Sequence, residues 1–260
     1  MNNKTLIICG AIVMLFGLEA NAQKHYNLED LYETERPMKS AKASISDFVS
    51  WMLAEPEDEV HGPMSHAWDL YRKNKPLPEG TTIILDEKNG YFRYDVEYVD
   101  EYVNEDGTSE IYRSTLFVEM VVWNCADGNH KVLGENIGGA IEGKPHDDGQ
   151  FDGVMFYLYD KTTHKVYDLY DAIKADERYG LVPSQSYRYD GQQWFYADDH
   201  ITGEPKRMTS EEFDQWMEER PVVEFSLPRT GKNIKVTIYS VKGKEEKEFV
   251  WDGYRFHLAK

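Results

Sequence analysis

Val154-Met155-Phe156-Tyr157-Leu158-Tyr159 is the stretch on which the fold class turns. β-branched and aromatic residues fit a pleated, buried surface, and a run of six is strand length rather than helix length. Asp160-Lys161-Thr162-Thr163 reads as a polar turn into a partner strand, Lys165 to Tyr170. Upstream the same texture repeats. Thr81 to Leu85 is a short strand, and Asn89-Gly90 gives the following turn hairpin chemistry. Tyr91 to Val103 alternates, with Tyr91, Arg93, Asp95 and Glu97 set against Phe92, Tyr94, Val96 and Tyr98. Ile111 to Asn124 is a long β-prone run, Asp127-Gly128 turns the chain into Lys131 to Ile137, and Gly138-Gly139 is expected to break that strand. Alternating runs separated by short turns predict an antiparallel sheet.

Away from this sheet the period changes. Ile45, Phe48, Val49 and Met52 follow helical spacing, with Ser44 or Ser46 as the cap and Pro56 as the stop. A second helix is expected over Pro63 to Lys73 and a third after Thr209, with Phe213, Trp216 and Met217 on its apolar face. Residues 172–193 read as irregular, with a weak helix at 170–177, and Trp194-Phe195-Tyr196 as a short strand. Val222 to Leu227, Ile234 to Val241 and Glu248 to Leu258 form the last β unit. The predicted class is α+β: predominantly antiparallel β-sheet with an N-terminal helical hairpin and one further helix near the C-terminus. The expected organisation is a signal peptide at 1–22, a helical segment at 23–76, a β unit at 77–178 and a second β-rich unit at 179–260, the last two separate or continuous.

Asp-Gly precedes an aromatic three times: Asp152-Gly153 before Phe156, Asp190-Gly191 before Phe195, and Asp252-Gly253 before Phe256. Glycine supplies the positive φ of a tight turn, and the aromatic starts the next buried face.

The chain has 260 residues, 41% of them hydrophobic, and a formal net charge of −18. That length supports a sizeable core. That charge argues against nonspecific nucleic-acid binding, which needs clustered Lys and Arg. Lys4, the apolar run Leu6 to Leu18, and Ala20-Asn21-Ala22 before Gln23 have the order of a secretory signal peptide. The run is too short to span a bilayer, and no later stretch is apolar enough, so no integral membrane segment is expected once the signal is removed. The protein is expected to be exported, to the periplasm or the extracellular space. Cys9 would go with the signal, leaving Cys125 alone and no internal disulfide.

The groupings that could carry chemistry are weak. Cys125, Asp127 and His130 bracket a turn, and a lone thiol at a strand end reads as a small apolar filler. His61 and His66 lack the helical spacing of a zinc pair. Asp148, Gln150, Asp152 and Gly153 resemble the start of a calcium loop, but Tyr159 stands where the closing Glu belongs. No metal and no cofactor is therefore expected, and no nucleophile elbow or phosphate loop is present. Exposed aromatics remain. Tyr187, Tyr189, Trp194 and Tyr196, in a polar stretch, are the binding candidates, because Tyr and Trp join large area to a polar tip.

Ala20-Asn21-Ala22-Gln23, the acidic aromatic-rich body, Phe156-Tyr157-Leu158-Tyr159-Asp160 and Trp251-Asp252-Gly253-Tyr254-Arg255-Phe256 together resemble exported proteins of unknown function of the Bacteroidetes type. The resemblance implies export and a β-rich fold, and brings no catalytic residues. The expected function is a non-catalytic binding module for a protein or glycan in the cell envelope or outside it. The alternatives are a hydrolase with a carboxylate pair in a cleft between helices and sheet, and a structural envelope component.

Overall fold

The structure, a computed structural model, describes residues 25–38, 40, 42–54, 60–103, 108–141, 144–145, 154–174, 181, 187–197, 204–219 and 221–260. Residues 1–22, where a signal peptide is expected, and the acidic stretch 146–153 lie outside the described residues.

The chain builds mostly antiparallel sheets with three helices among the described residues. Strands β1 (Thr81–Asp86), β2 (Tyr91–Val103), β3 (Ser109–Asn124), β4 (His130–Ile141), β6 (Val154–Asp160) and β7 (Val166–Asp168) lie side by side in that order. The short β5 (Lys144–Pro145) pairs with β4. Both faces of this sheet are covered. On one, Phe92, Tyr94, Val118, Met120, Leu133 and Tyr159 pack with α1 (Ile45–Met52) and α2 (His61–Arg72). On the other, Tyr91, Val121, Trp123, Val132, Phe156 and Leu158 pack against a second sheet. That sheet runs β11 (Val222–Ser226), β12 (Ile234–Ser240), β13 (Gly243–Trp251), β14 (Phe256–Leu258). Double burial explains why Val118 to Trp123 is an almost unbroken apolar run.

Local signals set the helix ends. Ser44 begins α1 with a capping box: the Asp47 N–H donates to Ser44 Oγ (3.2 Å) and the Ser44 N–H to Asp47 Oδ2 (2.8 Å).

Gly138-Gly139 does not break β4. The strand continues to Ile141, with the two glycines opposite Phe117 and Leu116. A Cβ on Gly138 would lie 2.5 Å from the Phe117 ring, and one on Gly139 2.7 Å from the Thr115 carbonyl oxygen. The pair is a clearance for neighbours, not a turn. The weak helix expected at 170–177 is also absent from its described part: Tyr170-Asp171 is a turn, and Ile173 bridges Phe256.

A buried polar network joins the two sheets. Glu119 of β3, 2% exposed, accepts from Tyr91 Oη (2.9 Å), Arg93 Nη1 (3.0 Å), Asn136 Nδ2 (3.2 Å) and the Leu227 N–H (2.9 Å). Asn136 Nδ2 also donates to the Phe225 carbonyl at 2.8 Å. The carboxylate is buried but fully partnered, which is the condition for carrying a charge inside a protein.

A third sheet, of three strands, stands apart from these layers in its hydrogen bonding: β8 (Tyr187–Tyr189), β9 (Phe195–Ala197) and β10 (Lys206–Met208), in the order β10-β9-β8. It is followed by α3 (Ser210–Glu219).

Candidate anion-binding face

The third sheet is organised by its first turn. Asp190 Oδ1 accepts from the N–H groups of Gln192 (2.9 Å), Gln193 (3.1 Å) and Trp194 (3.1 Å), and Gly191 takes φ 77°. These bonds, first that from Gln192, hold the Asp190 carboxyl below its usual range, and Arg207 adds to the effect. The Asp-Gly reading of the sequence is realised here and again at Asp252-Gly253, where Gly253 has φ 106°; Asp152-Gly153 lies outside the described residues.

The register sorts the side chains onto two faces. Tyr189 pairs with Phe195, and Phe195 with Met208. Phe195 stacks on Phe213 of α3 with ring centroids 4.1 Å apart, and Tyr189 lies 4.6 Å from Phe195. This face is the small sheet's own apolar support, and Met208 is fully buried in it. Tyr189 belongs to that support, although half of it reaches solvent. Tyr187 stands opposite Ala197, with its side chain outside the described residues.

The opposite face is different. Arg188 and Arg207 both stand opposite Tyr196, one on each neighbouring strand. The Arg188 guanidinium lies 5.0 Å from the Tyr196 ring centroid, and that of Arg207 lies 3.5 Å from the Trp194 ring centroid. Both arginines are exposed, and both rings are partly buried. Among the described residues neither guanidinium joins an ion pair. A planar guanidinium laid on a ring keeps its N–H edge free, and the ring restricts its orientation. Two pre-oriented forks on an open face can take carboxylates bidentately.

Trp194 and Tyr196 are thus brought together, Tyr189 is turned away, and two partners, Arg188 and Arg207, were missed in the sequence reading. The missed signal was alternation: Arg188 flanked by Tyr187 and Tyr189 marks a strand with a basic outer face, read instead as irregular chain.

The other groupings resolve as follows. Asp127 and His130 do meet, with Oδ2 to Nδ1 at 2.8 Å and both side chains buried. Burial opposes Asp127's charge, but bonds from the His130 N–H and side chain prevail and hold the carboxyl low. Cys125 is buried, and burial above all pushes its thiol up to about 12. At neutral pH it is a thiol, not a nucleophilic thiolate. His61 turns from His66 to Glu135: Nε2 lies 2.8 Å from Oε1 of this fully buried carboxylate. No group of three or more metal-ligating side chains occurs among the described residues, and the candidate calcium loop lies outside them. No described helix is long and apolar enough to cross a membrane. No protein-family model, curated protein or solved structure significantly matches this chain.

Proposed function

We propose that the protein is an exported, non-catalytic binding module for a carboxylate-bearing glycan, acting in the periplasm or the extracellular space. The observation that carries the reading is the Arg188–Tyr196–Arg207 row with Trp194 beneath Arg207, an exposed face of two ring-stacked guanidinium groups that join no ion pair among the described residues. On a chain of net charge −18 such a face is local, and the whole-molecule field opposes it. That opposition disfavours a densely charged partner such as nucleic acid or a strongly acidic protein. Protein charges farther than roughly 8 Å from the face are screened at physiological salt, so the local guanidinium groups set the interaction with an anionic partner.

The order of residues 1–22 supports export, and removal of the signal leaves Gln23 first. In the same reading α1 and α2 form the N-terminal helical hairpin that closes one side of the large sheet. At the seam between those helices and the sheet, His61 Nε2 lies 2.8 Å from Glu135 Oε1, while the buried Glu135 Oε2 has no hydrogen-bond partner among the described residues.

Affinity electrophoresis of the mature chain tests the reading. Polygalacturonate in the gel should retard it, while the methyl-esterified polymer and neutral glucan should not. Equal retardation by poly-glutamate would favour a protein partner, and no retardation by any polymer would leave the structural-component reading.

A further inference from the structure

The two packed sheets end in the strands β1, β7, β11 and β14, and the chain itself meets the last three. Along β7, the Thr34 N–H donates to the Val166 carbonyl and the Asp168 N–H to the Tyr32 carbonyl, both at 2.9 Å. Along β14, the Phe256 N–H donates to the Ala172 carbonyl at 2.8 Å. On β11, the Phe225 carbonyl accepts from Asn136 Nδ2 at 2.8 Å. The outer edge of β1 has no such cover among the described residues.

The ladder fixes which groups that edge presents. The Glu97 N–H donates to the Gly80 carbonyl at 3.0 Å. Bonded pairs alternate along an antiparallel ladder, so Thr82–Asp95, Ile84–Arg93 and Asp86–Tyr91 are the bonded pairs of β1 with β2. The backbone groups of Thr81, Ile83 and Leu85 therefore point away from the sheet. The Thr81 N–H turns back to the Pro78 carbonyl at 3.2 Å. The N–H groups of Ile83 and Leu85 and the carbonyls of all three residues have no partner among the described residues. Proteins blunt such edges with Lys, Pro or a bulge. Here Gly80 to Leu85 has no charge and no proline, and its register on β2 is unbroken. On the helix side, Ile83 and Leu85 lie with Tyr71 and Leu77, all four only partly buried at the end of the core.

We propose that this edge is a self-association surface whose occupant is β1 of a second copy of the chain, antiparallel about a two-fold axis at Ile83. That register pairs all three outward residues. The two Ile83 residues exchange N–H···O bonds, and each Leu85 N–H donates to the Thr81 carbonyl of the other copy. Charge selects a copy of this chain. Two molecules of net charge −18 that met at an acidic face would set carboxylate against carboxylate. The paired stretch is uncharged, and Asp86 at its end is matched within its own chain by Arg229 (Nε to Oδ2, 3.3 Å). A cationic partner gains nothing from so neutral a strand. Like charges meet only beyond the pairing, where Glu79 falls opposite Glu87, which stops the ladder and opposes slippage. The row of Ile83 and Leu85 meets its own copy, so the apolar layer continues across the axis. On the other face the exposed Thr82 and Ile84 fall opposite one another.

Sedimentation velocity of residues 23–260 tests this. The expected result is a monomer–dimer equilibrium that shifts towards dimer between about 50 and about 500 mM salt, because screening removes the repulsion between two acidic copies. Thr82→Glu/Ile84→Glu and Thr82→Lys/Ile84→Lys change only exposed side chains, and each sets like charges opposite one another across the axis. Either variant alone should weaken the dimer by at least about tenfold. An equimolar mixture of the two should restore it, which also shows that both are folded. Ile83→Pro removes the outward N–H and no bond to β2, and should weaken the dimer likewise. A wild-type chain that stays monomeric at every salt concentration would leave the edge to a foreign strand and overturn the proposal. A wild-type dimer that all three variants leave intact would overturn it too, and a mixture that fails to pair would overturn the two-fold register.

Discussion

Gly253 illustrates how much one residue can settle. It stands at φ 106°, and a Cβ there would lie 3.1 Å from that of Ala126, whose N–H donates to the Gly253 carbonyl at 3.0 Å. Gly253→Val should cost about 2 kcal/mol or more, from the left-handed backbone and the contact together. His257 Nε2 lies 2.9 Å from Asp252 Oδ2, in a partly exposed pair. His257→Ala should cost about 1 kcal/mol or less. Urea midpoints compare the two, and a larger loss at His257 would contradict the turn as described. Asp127 has a pH signature. Its folded pKa lies below the ordinary value, so it stabilises the fold fully above about pH 4, the unfolded value, and the contribution is lost as pH falls through the lower folded value. Asp127→Asn should flatten the acid unfolding profile below about pH 4, and an unchanged acid profile would show that the pair contributes nothing. Cys125→Ser should leave ligand affinity within about twofold; a tenfold loss at unchanged stability would make the thiol functional.

At the scale of elements, the legible part of the fold was what periodicity encodes. Tyr91 to Tyr98 alternates because β2 runs between two different environments, and the strand's bounds, Tyr91 and Val103, were read correctly; of the two cap candidates, Ser44 and Ser46, the structure uses Ser44. What the sequence hid was tertiary. Gly138-Gly139 looks like a turn until Phe117 is known to lie across it. β8 is three residues long and held by β9 and Phe213-backed packing, which no local propensity reports. Trp194 and Tyr196 were visible as aromatics, but their pairing with Arg188 and Arg207 depends on register. Gly134 offers a direct test of close packing inside β4. A Cβ there would lie 2.6 Å from the Trp123 ring, which is itself enclosed by Phe156, Trp251 and Phe256. Gly134→Ala should destabilise by about 1–3 kcal/mol, because that ring has nowhere to move. A neutral effect on the thermal midpoint would mean that the two sheets are less tightly apposed than described.

For the whole molecule, three layers are joined chiefly by apolar packing and, between the sheets, by a few buried polar bonds, among them those of Glu119, Asn136 to the Phe225 carbonyl and Trp123 Nε1 to the Lys232 carbonyl. Removing Glu119 would orphan the Leu227 N–H and Tyr91 Oη together and take one carboxylate from Arg93, which keeps Asp95. Glu119→Ala should therefore cost roughly 3–5 kcal/mol, with amide exchange at Leu227 accelerating more than at the helix-side residues. The proposed function rests on the outer face of the small sheet. Calorimetric titration of residues 23–260 with polygalacturonate at about 50 and about 200 mM salt, alongside the Arg188→Ala/Arg207→Ala double variant, tests this most directly. The account predicts binding that weakens with salt and is absent in the double variant; undiminished affinity in that variant would contradict it.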